Sequence, residues 1–408
     1  MKKKEGIKKS LLTIIFIFLL TSFLAMAPGP LVGSSFADNS GGNQADVNTN
    51  RIIRGIDLIY NHQFDESEVL FQDIISQSPF KPAGYFYMAM ITWSRLATGF
   101  WSSESVREYK ERIDLTIRVA EKLVEKNTAD SYDFFYLGGA LGFKGRFELM
   151  RGKWLSSFLL ATEAIDSLKT CLEIDPDNKD VLLGIGTFDY YTARLSGVLK
   201  FLSYLLLHEG SKEEGLRKLN VAANEALYSA TEAKSTLLHI YLFLEEDFSK
   251  AQSLAEELEI RYDRNPRFKF FRGVSYIRSG MEPQYLKMVH KIRKRSLELG
   301  LLNKKEASLW EKRSLYLETV HDLFHGRYSE ARTKLQKILS RPDPKYDPAM
   351  IAWPLVKMGM SYDLEGDRDQ AKKYYGRVLS MENGSGAQFM AERMLANSPA
   401  KDDPFIGY

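Results

Sequence analysis

Two histidines one helical turn apart are the residues of this chain whose spacing could support metal chemistry. His321 and His325 stand four positions apart, which places both imidazoles on one face of a helix. A zinc peptidase would need glutamate in place of Asp322, and no companion motif in the sequence supplies a third ligand. Polar packing and interaction with the helix end near Gly326 explain the pair better, so we expect no metal site.

Other patterns that could support catalysis or cofactor binding are incomplete. The run from Asp175 to Asp180 lacks the glycine and the final glutamate of a calcium loop, and it fits a turn between two helices. Gly184 and Gly186 have no third glycine and no preceding strand, which excludes a dinucleotide fingerprint. Cys171 occupies a small-residue position, as a buried thiol would. We therefore expect no catalytic residue and no cofactor, and the chain is not expected to be an enzyme.

The elements that position these residues follow from an internal repeat. An aromatic or small residue is followed by a small residue three positions later, an apolar residue after four more, and another apolar residue after three more. The copies are Phe64, Ser67, Phe71 and Ile74; Ala161, Ala164, Leu168 and Cys171; Phe248, Ala251, Ala255 and Leu258; Tyr328, Ala331, Leu335 and Ile338; and Ala371, Tyr375 and Val378, preceded by Leu355, Met358, Gly359 and Tyr362. This pattern resembles the tetratricopeptide repeat.

The repeat predicts an all-α fold, an α-solenoid of about eight antiparallel helix pairs with a C-terminal capping helix. One pair cannot bury its apolar face alone, so the pairs must stack. The predicted pairs are 51–61 with 64–77, 82–99 with 105–126, 131–150 with 153–174, 178–192 with 211–226, 231–245 with 248–263, 267–279 with 282–299, 305–325 with 328–340 and 349–364 with 367–381, and the capping helix is 385–396.

Aromatic residues cluster on the first helix of several predicted pairs, the helix that lines the inner surface of such a stack. Consecutive residues on a helix point about 100° apart, so they cannot all face the core. Some are expected to project toward a peptide or an apolar ligand, while the others fill the core. The candidate partner-binding residues are Tyr85, Tyr87, Phe135, Tyr190, Tyr191, Phe201, Tyr204 and Phe270.

A basic helix around residues 287–295 has two interpretations. It could attract an acidic partner or anionic lipid, or it could be a solvated outer face, which we favour. Its members are Lys287, His290, Lys291, Arg293, Lys294 and Arg295.

The segment 195–207 interrupts the repeats, because it is apolar nearly all round and must be buried or rest in something apolar. With the flanking residues 184–191 and 209–216, it resembles the divergent tetratricopeptide family of the eukaryotic inclusion-body-clearance and tetratricopeptide-repeat-39 proteins and bacterial exported relatives. The resemblance covers roughly residues 150–280. It implies no catalytic residues, and the eukaryotic members imply a lipid-related role.

The N-terminus has the pattern of a secretory signal. Basic residues up to Lys9 precede an apolar run from Leu11 to Ala27, and Ser35 and Ala37 offer small residues for cleavage after Ala37. An uncleaved membrane anchor is the alternative. Residues 38–50 are expected to be a flexible leader and 397–408 a C-terminal tail around the solenoid of 51–396. This pattern predicts that the protein is exported to the periplasm or to the extracellular space.

Charge and composition limit the choice of partner. Of the 408 residues 44% are apolar and 27% are charged, as in a chain that forms a packed core. Beyond residue 37 there remain 51 basic and 52 acidic residues, a net charge of −1. A nucleic-acid-binding protein would need an excess of basic residues, so a nucleic-acid partner is excluded.

The sequence therefore predicts an exported scaffold that binds a protein or peptide. A protein that binds an apolar ligand or a membrane surface through 195–207 is the alternative.

Overall fold

The computed structural model describes residues 42–97, 103–126, 128–151, 153–194, 211–300, 303–345, 347–381 and 384–408. Within these ranges the chain is helical and contains no strand. The helices are α1 Gly42–Tyr60, α2 Phe64–Gln77, α3 Pro82–Ala97, α4 Ser103–Val124, α5 Ser131–Met150, α6 Trp154–Ile174, α7 Val181–Ala193, α8 Lys212–Glu225, α9 Ala230–Phe243, α10 Phe248–Arg261, α11 Pro266–Arg278, α12 Glu282–Gly300, α13 Lys304–Phe324, α14 Tyr328–Leu339, α15 Ala349–Glu365, α16 Arg368–Leu379 and α17 Ala387–Ala396, followed by a short 3-10 helix Pro404–Gly407.

Consecutive helices pack against each other as antiparallel pairs, which confirms the predicted all-α solenoid fold class. The predicted pairs and the final capping helix match the observed helices to within a few residues at most of their ends. The apolar segment 195–207, with Phe201 and Tyr204, lies outside the described residues.

Both ends of the described chain are more ordered than the sequence predicts. Helix α1 begins at Gly42, inside the stretch expected to be a flexible leader. This polar stretch has no apolar period, but the Tyr228 hydroxyl donates a hydrogen bond to the Thr49 hydroxyl at 3.2 Å and holds its end. At the other end, Phe405 and Ile406 of the expected tail are buried.

Side-chain caps fix where many helices begin. Asp130 accepts a hydrogen bond from the backbone N–H of Asp133, and the Asp133 side chain accepts from the backbone of Asp130, so α5 starts with a reciprocal capping box. Ser211, Asp247, Asn265, Asn303 and Asp367 cap α8, α10, α11, α13 and α16 in the simpler way.

Glycines end the first helix of three successive pairs. Gly280, Gly326 and Gly366 follow α11, α13 and α15, and each has a positive φ, between 67° and 101°. This left-handed conformation strains other residues, so glycine here turns the chain sharply into the second helix of the pair.

The chain divides into two compact units. Among the described residues, unit 1 comprises those up to Ser94 and those of Val106–Leu237, and unit 2 comprises those of Arg95–Ser105 and Leu238–Tyr408. Within the described ranges, no helix is both long and apolar enough to cross a lipid bilayer.

Candidate functional site

One continuous helical surface runs through unit 2. The first helices of its pairs, α11, α13 and α15, contact one another in succession, and the capping helix α17 contacts α15. The end of α9 contributes His239 and Phe243 to the same surface through ring contacts described below. We call this surface the first-helix face.

The last residues of the chain, 397–408, lie on the first-helix face, and we call them the C-terminal segment. The Phe405 ring stacks on Phe243 with centroids 5.8 Å apart, and the Tyr408 ring lies edge-on to Phe243 at 5.5 Å. Trp353 of α15 contacts Tyr408 from another side at 4.8 Å. His239 and Phe271 complete the aromatic surroundings of Tyr408. Aromatic contacts from three helices, α9, α11 and α15, therefore hold two side chains of this segment.

A buried lysine binds the backbone of the segment. The Lys357 ammonium is fully buried and donates hydrogen bonds to the carbonyl oxygens of Phe405 at 3.1 Å and Ile406 at 2.8 Å. No carboxylate shares these contacts, and burial lowers the pKa of Lys357 to about 7, with Asp403 and Arg393 as the nearby charges. This interaction recognises main-chain atoms, so it does not depend on the side chains of the bound segment.

Further polar contacts fix residues 402–408 of the segment. The Tyr316 hydroxyl donates to the Tyr408 main-chain oxygen at 2.9 Å. Arg393 forms an ion pair with Asp403 at 2.9 Å, and its guanidinium lies over the Phe405 ring at 4.5 Å. Arg278 also donates to the carbonyl of Asp402 at 3.2 Å. Together these contacts set the direction in which the segment crosses the first-helix face.

The contact at Gly407 leaves no room for a larger residue. A Cβ at this position would lie 2.7 Å from Cγ1 of Val274 and 3.4 Å from a ring carbon of Phe324. Ile406 is fully buried with Leu323 and Ala331. The segment therefore fits the face by shape as well as by hydrogen bonding.

The structure separates the sequence-predicted aromatic residues into different environments. Tyr87, Tyr190 and Tyr191 are buried among other side chains of unit 1, where they cannot contact a partner unless the core opens. Tyr85 is half-buried, and its hydroxyl donates to the carbonyl of Pro79 at 3.1 Å. Phe270 is half-buried on α11, with its ring 5.6 Å from that of Tyr316. Phe270 thus contacts Tyr316, whose hydroxyl binds the main-chain oxygen of Tyr408 in the C-terminal segment.

Phe135 is also buried, but it lines a cavity of about 140 Å³ in unit 1. Most of the lining is apolar or glycine. It includes Phe86, Gly142, Ile165, Leu168 and Phe188. The polar members of the lining are Arg146, Ser157, Asp180, Thr187, Glu232 and Thr236. Such a cavity can hold a small apolar group.

The buried carboxylate of Asp180 is the centre of a hydrogen-bond network in unit 1. Its carboxylate accepts hydrogen bonds from the backbone N–H groups of Tyr228 at 2.7 Å and Ser229 at 2.6 Å, and from the Tyr132 hydroxyl at 3.2 Å. Burial raises its pKa above the ordinary aspartate value, and these donors oppose that effect. The Asp175–Asp180 run is therefore a turn, as predicted, whose last residue joins the starts of α7 and α9.

The structure explains two other features of the sequence. Cys171 is buried, which confirms that prediction, and burial raises the pKa of its thiol to about 12. In the basic helix, Lys291 forms an ion pair with Glu259 at 2.6 Å and Arg293 pairs with Glu318 at 2.6 Å. Lys294 and Arg295 both lie within 4 Å of Glu298. Much of the basic charge is therefore balanced within the chain.

The residues that hold the C-terminal segment were missed at the sequence level. Lys357 gave the clearest signal, because it is the one charged residue in the apolar run from Ala349 to Met360. A lysine at that place must be buried or must pair with something that crosses the helix. Tyr316 and Trp353 gave no comparable signal.

Comparison with known families supports the repeat assignment at the C-terminal end. Residues 355–381 match the tetratricopeptide repeat family. The matched residues cover the later part of α15 and all of α16, the pair that carries the clearest copy of the sequence pattern. No curated protein matches the chain. The helix-pair repeat is therefore of the tetratricopeptide type here, whereas the finer resemblance to one subfamily is a proposal.

Proposed function

We propose that this chain is a tetratricopeptide-type scaffold that binds segments of partner polypeptides on the first-helix face. The observation that carries the proposal is that this face already holds a polypeptide, the chain's own C-terminal segment, through Lys357, Tyr316 and an aromatic surround. Backbone recognition together with pockets for aromatic side chains suits many different extended peptides. A partner segment would compete with the chain's own segment for the same contacts.

Photo-crosslinking at two positions tests this proposal. A photoreactive amino acid at Phe270, whose ring contacts Tyr316 on the first-helix face, is expected to capture a defined partner protein in cells. The same group at Leu286, which is 55% exposed on the second helix α12, serves as the matched control and should not capture it. Equal capture at both positions, or capture at neither, would count against the first-helix face as the binding surface.

A peptide-binding measurement tests the chemistry directly. Replacing Ile406 by Asp in the full chain should release the C-terminal segment, because a carboxylate cannot enter the site among Leu323 and Ala331 without a partner. A labelled peptide of residues 397–408 should then bind to this variant, as measured by fluorescence anisotropy, and should bind the unmodified chain much more weakly. A folded variant that does not bind the peptide, or binds a scrambled peptide equally well, contradicts the proposal.

We also propose that the chain is exported, because the basic, apolar and small-residue order of its first 37 residues fits a secretory signal. The intact mass of the protein purified from cells tests cleavage, with Asp38 as the expected first residue. A mass that retains residues 1–37 would instead support the anchor alternative.

An apolar ligand is the second candidate function, and the cavity in unit 1 favours it. The resemblance to lipid-associated tetratricopeptide proteins points in the same direction. A Cβ at Gly142 would meet only Cβ of Ala164, at 3.9 Å, so Gly142→Leu should fill the cavity with little strain at Cβ. Native mass spectrometry should find a small apolar ligand bound to the unmodified chain and none bound to this variant, whereas Gly376→Ala on α16 should have no effect. Flotation with liposomes separately tests membrane-surface binding.

A further inference from the structure

Three potential metal ligands converge in unit 2. Glu282 is the first residue of α12, whereas His321 and His325 lie at the end of α13. One ligand atom from each residue lies within 4.8 Å of the other two. The Glu282 carboxylate and Nε2 of His321 are 2.7 Å apart. The third ligand that the two histidines lack in the sequence thus comes from the preceding helix.

The hydrogen bonding of His325 leaves one nitrogen free for a metal. Its Nδ1 lies 2.7 Å from the carbonyl oxygen of His321. Because a carbonyl oxygen can only accept, Nδ1 carries the proton and Nε2 keeps its lone pair. A backbone carbonyl commonly orients metal-binding histidines in this way. His325 is exposed, so a dissolved ion can reach Nε2.

The surroundings of His321 hold its ring in place. The ring stacks on Tyr285 with centroids 4.1 Å apart, and the side chain is 8% exposed. The stacking therefore fixes the orientation of the ring, whereas both of its nitrogens already have partners, Glu282 and Arg327.

We propose that Glu282, His321 and His325 form a binding site for a divalent transition metal, with Zn²⁺ as the ion that fits best. Two imidazoles and one carboxylate suit Zn²⁺, whereas Mg²⁺ and Ca²⁺ prefer oxygen ligands alone. Three protein ligands leave a fourth position for water or for a side chain of a bound partner. A metal bound here links α12 to α13.

The site binds metal without hydrolytic chemistry. Asp322 occupies the place where a zinc peptidase carries its catalytic glutamate, but its two oxygens are held by Arg327, at 2.9 Å, and by Lys334. A carboxylate held by two cations is not free to turn toward a metal-bound water. The role that remains is to fix two helices or to complete a partner's metal coordination.

Arg327 competes with the metal. Its Nη2 lies 2.7 Å from Nδ1 of His321. A guanidinium can only donate, so this contact keeps the proton of His321 on Nε2, facing Glu282. Metal binding must move that proton to Nδ1 and displace Arg327, and the nearby positive charge also repels the ion. Removing Arg327 should therefore strengthen metal binding.

Calorimetric titration of Zn²⁺ into the full chain tests the site. The protein is prepared without a histidine tag and treated with chelator first. We expect one Zn²⁺ per chain, and at least about tenfold weaker binding in Glu282→Gln, His321→Gln and His325→Gln. His290→Gln, an exposed histidine on α12, is the matched control and should bind like the unmodified chain. Binding of Co²⁺ should give the intense visible absorption of a low-coordinate site.

Two variants of Arg327 distinguish a specific metal site from adventitious metal binding. Arg327→Gln should bind Zn²⁺ several-fold more tightly, whereas Arg327→Lys, which keeps the charge, should not. Melting curves recorded in chelator identify any variant that fails to fold. The proposal is overturned if the folded unmodified chain and Arg327→Gln both bind less than one Zn²⁺, or if His290→Gln weakens binding as much as His325→Gln does.

Discussion

Gly359 of α15 faces the ring of Tyr375 on α16 so closely that a Cβ at Gly359 would lie 2.3 Å from the ring carbon Cε1. Tyr375 is fully buried, and its hydroxyl donates to Asp363 at 2.9 Å. The same arrangement recurs in the first pair, where a Cβ at Gly55 would lie 2.3 Å from Cζ of Phe71. In both pairs the glycine lets a large ring fill the groove between two antiparallel helices.

Gly359→Ala should therefore destabilise unit 2 by about 1–3 kcal/mol, the usual cost of overpacking a core. Gly376→Ala on α16 is the matched control, since a Cβ there meets nothing within 4 Å. That change should raise the free energy of unfolding by about 0.5–1 kcal/mol, because alanine favours the helix. Urea denaturation measures both effects, and equal stability of the two variants would contradict the packing argument.

Asp180→Ala should destabilise unit 1 by about 3 kcal/mol, because it leaves the buried N–H groups of Tyr228 and Ser229 without an acceptor. Asp180→Asn keeps one acceptor oxygen and should cost much less. Denaturation of the two variants side by side distinguishes hydrogen bonding from simple volume. A large loss in the asparagine variant would show that the charge itself is needed.

Ile406→Asp should release the C-terminal segment, since Ile406 is fully buried. Carboxypeptidase digestion followed by mass spectrometry measures the release. The variant should lose its last residues at least about tenfold faster than the unmodified chain, because burying an unpaired carboxylate costs several kcal/mol. Lys401→Glu, at an exposed position of the same segment, is the control and should be trimmed at the unmodified rate.

Lys357 should make unit 2 more stable as the pH rises above 7. Its pKa is about 7 in the folded chain and near its usual value of 10.5 when unfolded. Between these values the unfolded chain binds more protons, so the free energy of unfolding increases by about 1 kcal/mol per pH unit. Below pH 7 both states are protonated and this contribution is constant.

The difference between the unmodified chain and Lys357→Met isolates this effect from other titrating groups. We expect the unfolding free energy of the unmodified chain, minus that of Lys357→Met, to increase from pH 7 to pH 10. Lys372→Met, an exposed lysine on α16, should show a constant difference over the same range. A flat difference for Lys357→Met would mean that the ammonium is not buried as described.

The helix pairs could be predicted because the pattern that forms them is local. Residues such as Ala251, Ala255 and Leu258 repeat on a helical period, and they are buried as that period requires. Caps such as Asp367 and turn glycines such as Gly366 mark the helix ends. Each of these signals lies within one turn of the feature that it predicts.

The candidate sites could not be predicted, because each joins residues that are far apart in sequence. Lys357 contacts Phe405 and Ile406, and the whole of α16 and α17 lies between them in the sequence. Glu282 contacts His321, which follows it by the length of α12 and most of α13. The C-terminal segment has no apolar period, because it packs as a short 3-10 helix and not as a repeat. Aromatic clustering also could not separate the buried Tyr190 from the half-buried Phe270, since both lie on first helices.

The position of Tyr408 against Trp353 and Tyr316 has a consequence for biosynthesis. Proteins emerge from the ribosome N-terminus first, so α11, α13 and α15 leave the exit tunnel before residues 405–408 do. Helices α11, α13 and α15 can therefore fold while the site for Phe405 and Tyr408 is still empty. During synthesis the aromatic surface formed by Phe243, Phe271 and Trp353 is therefore open to chaperones and partners until residues 405–408 emerge.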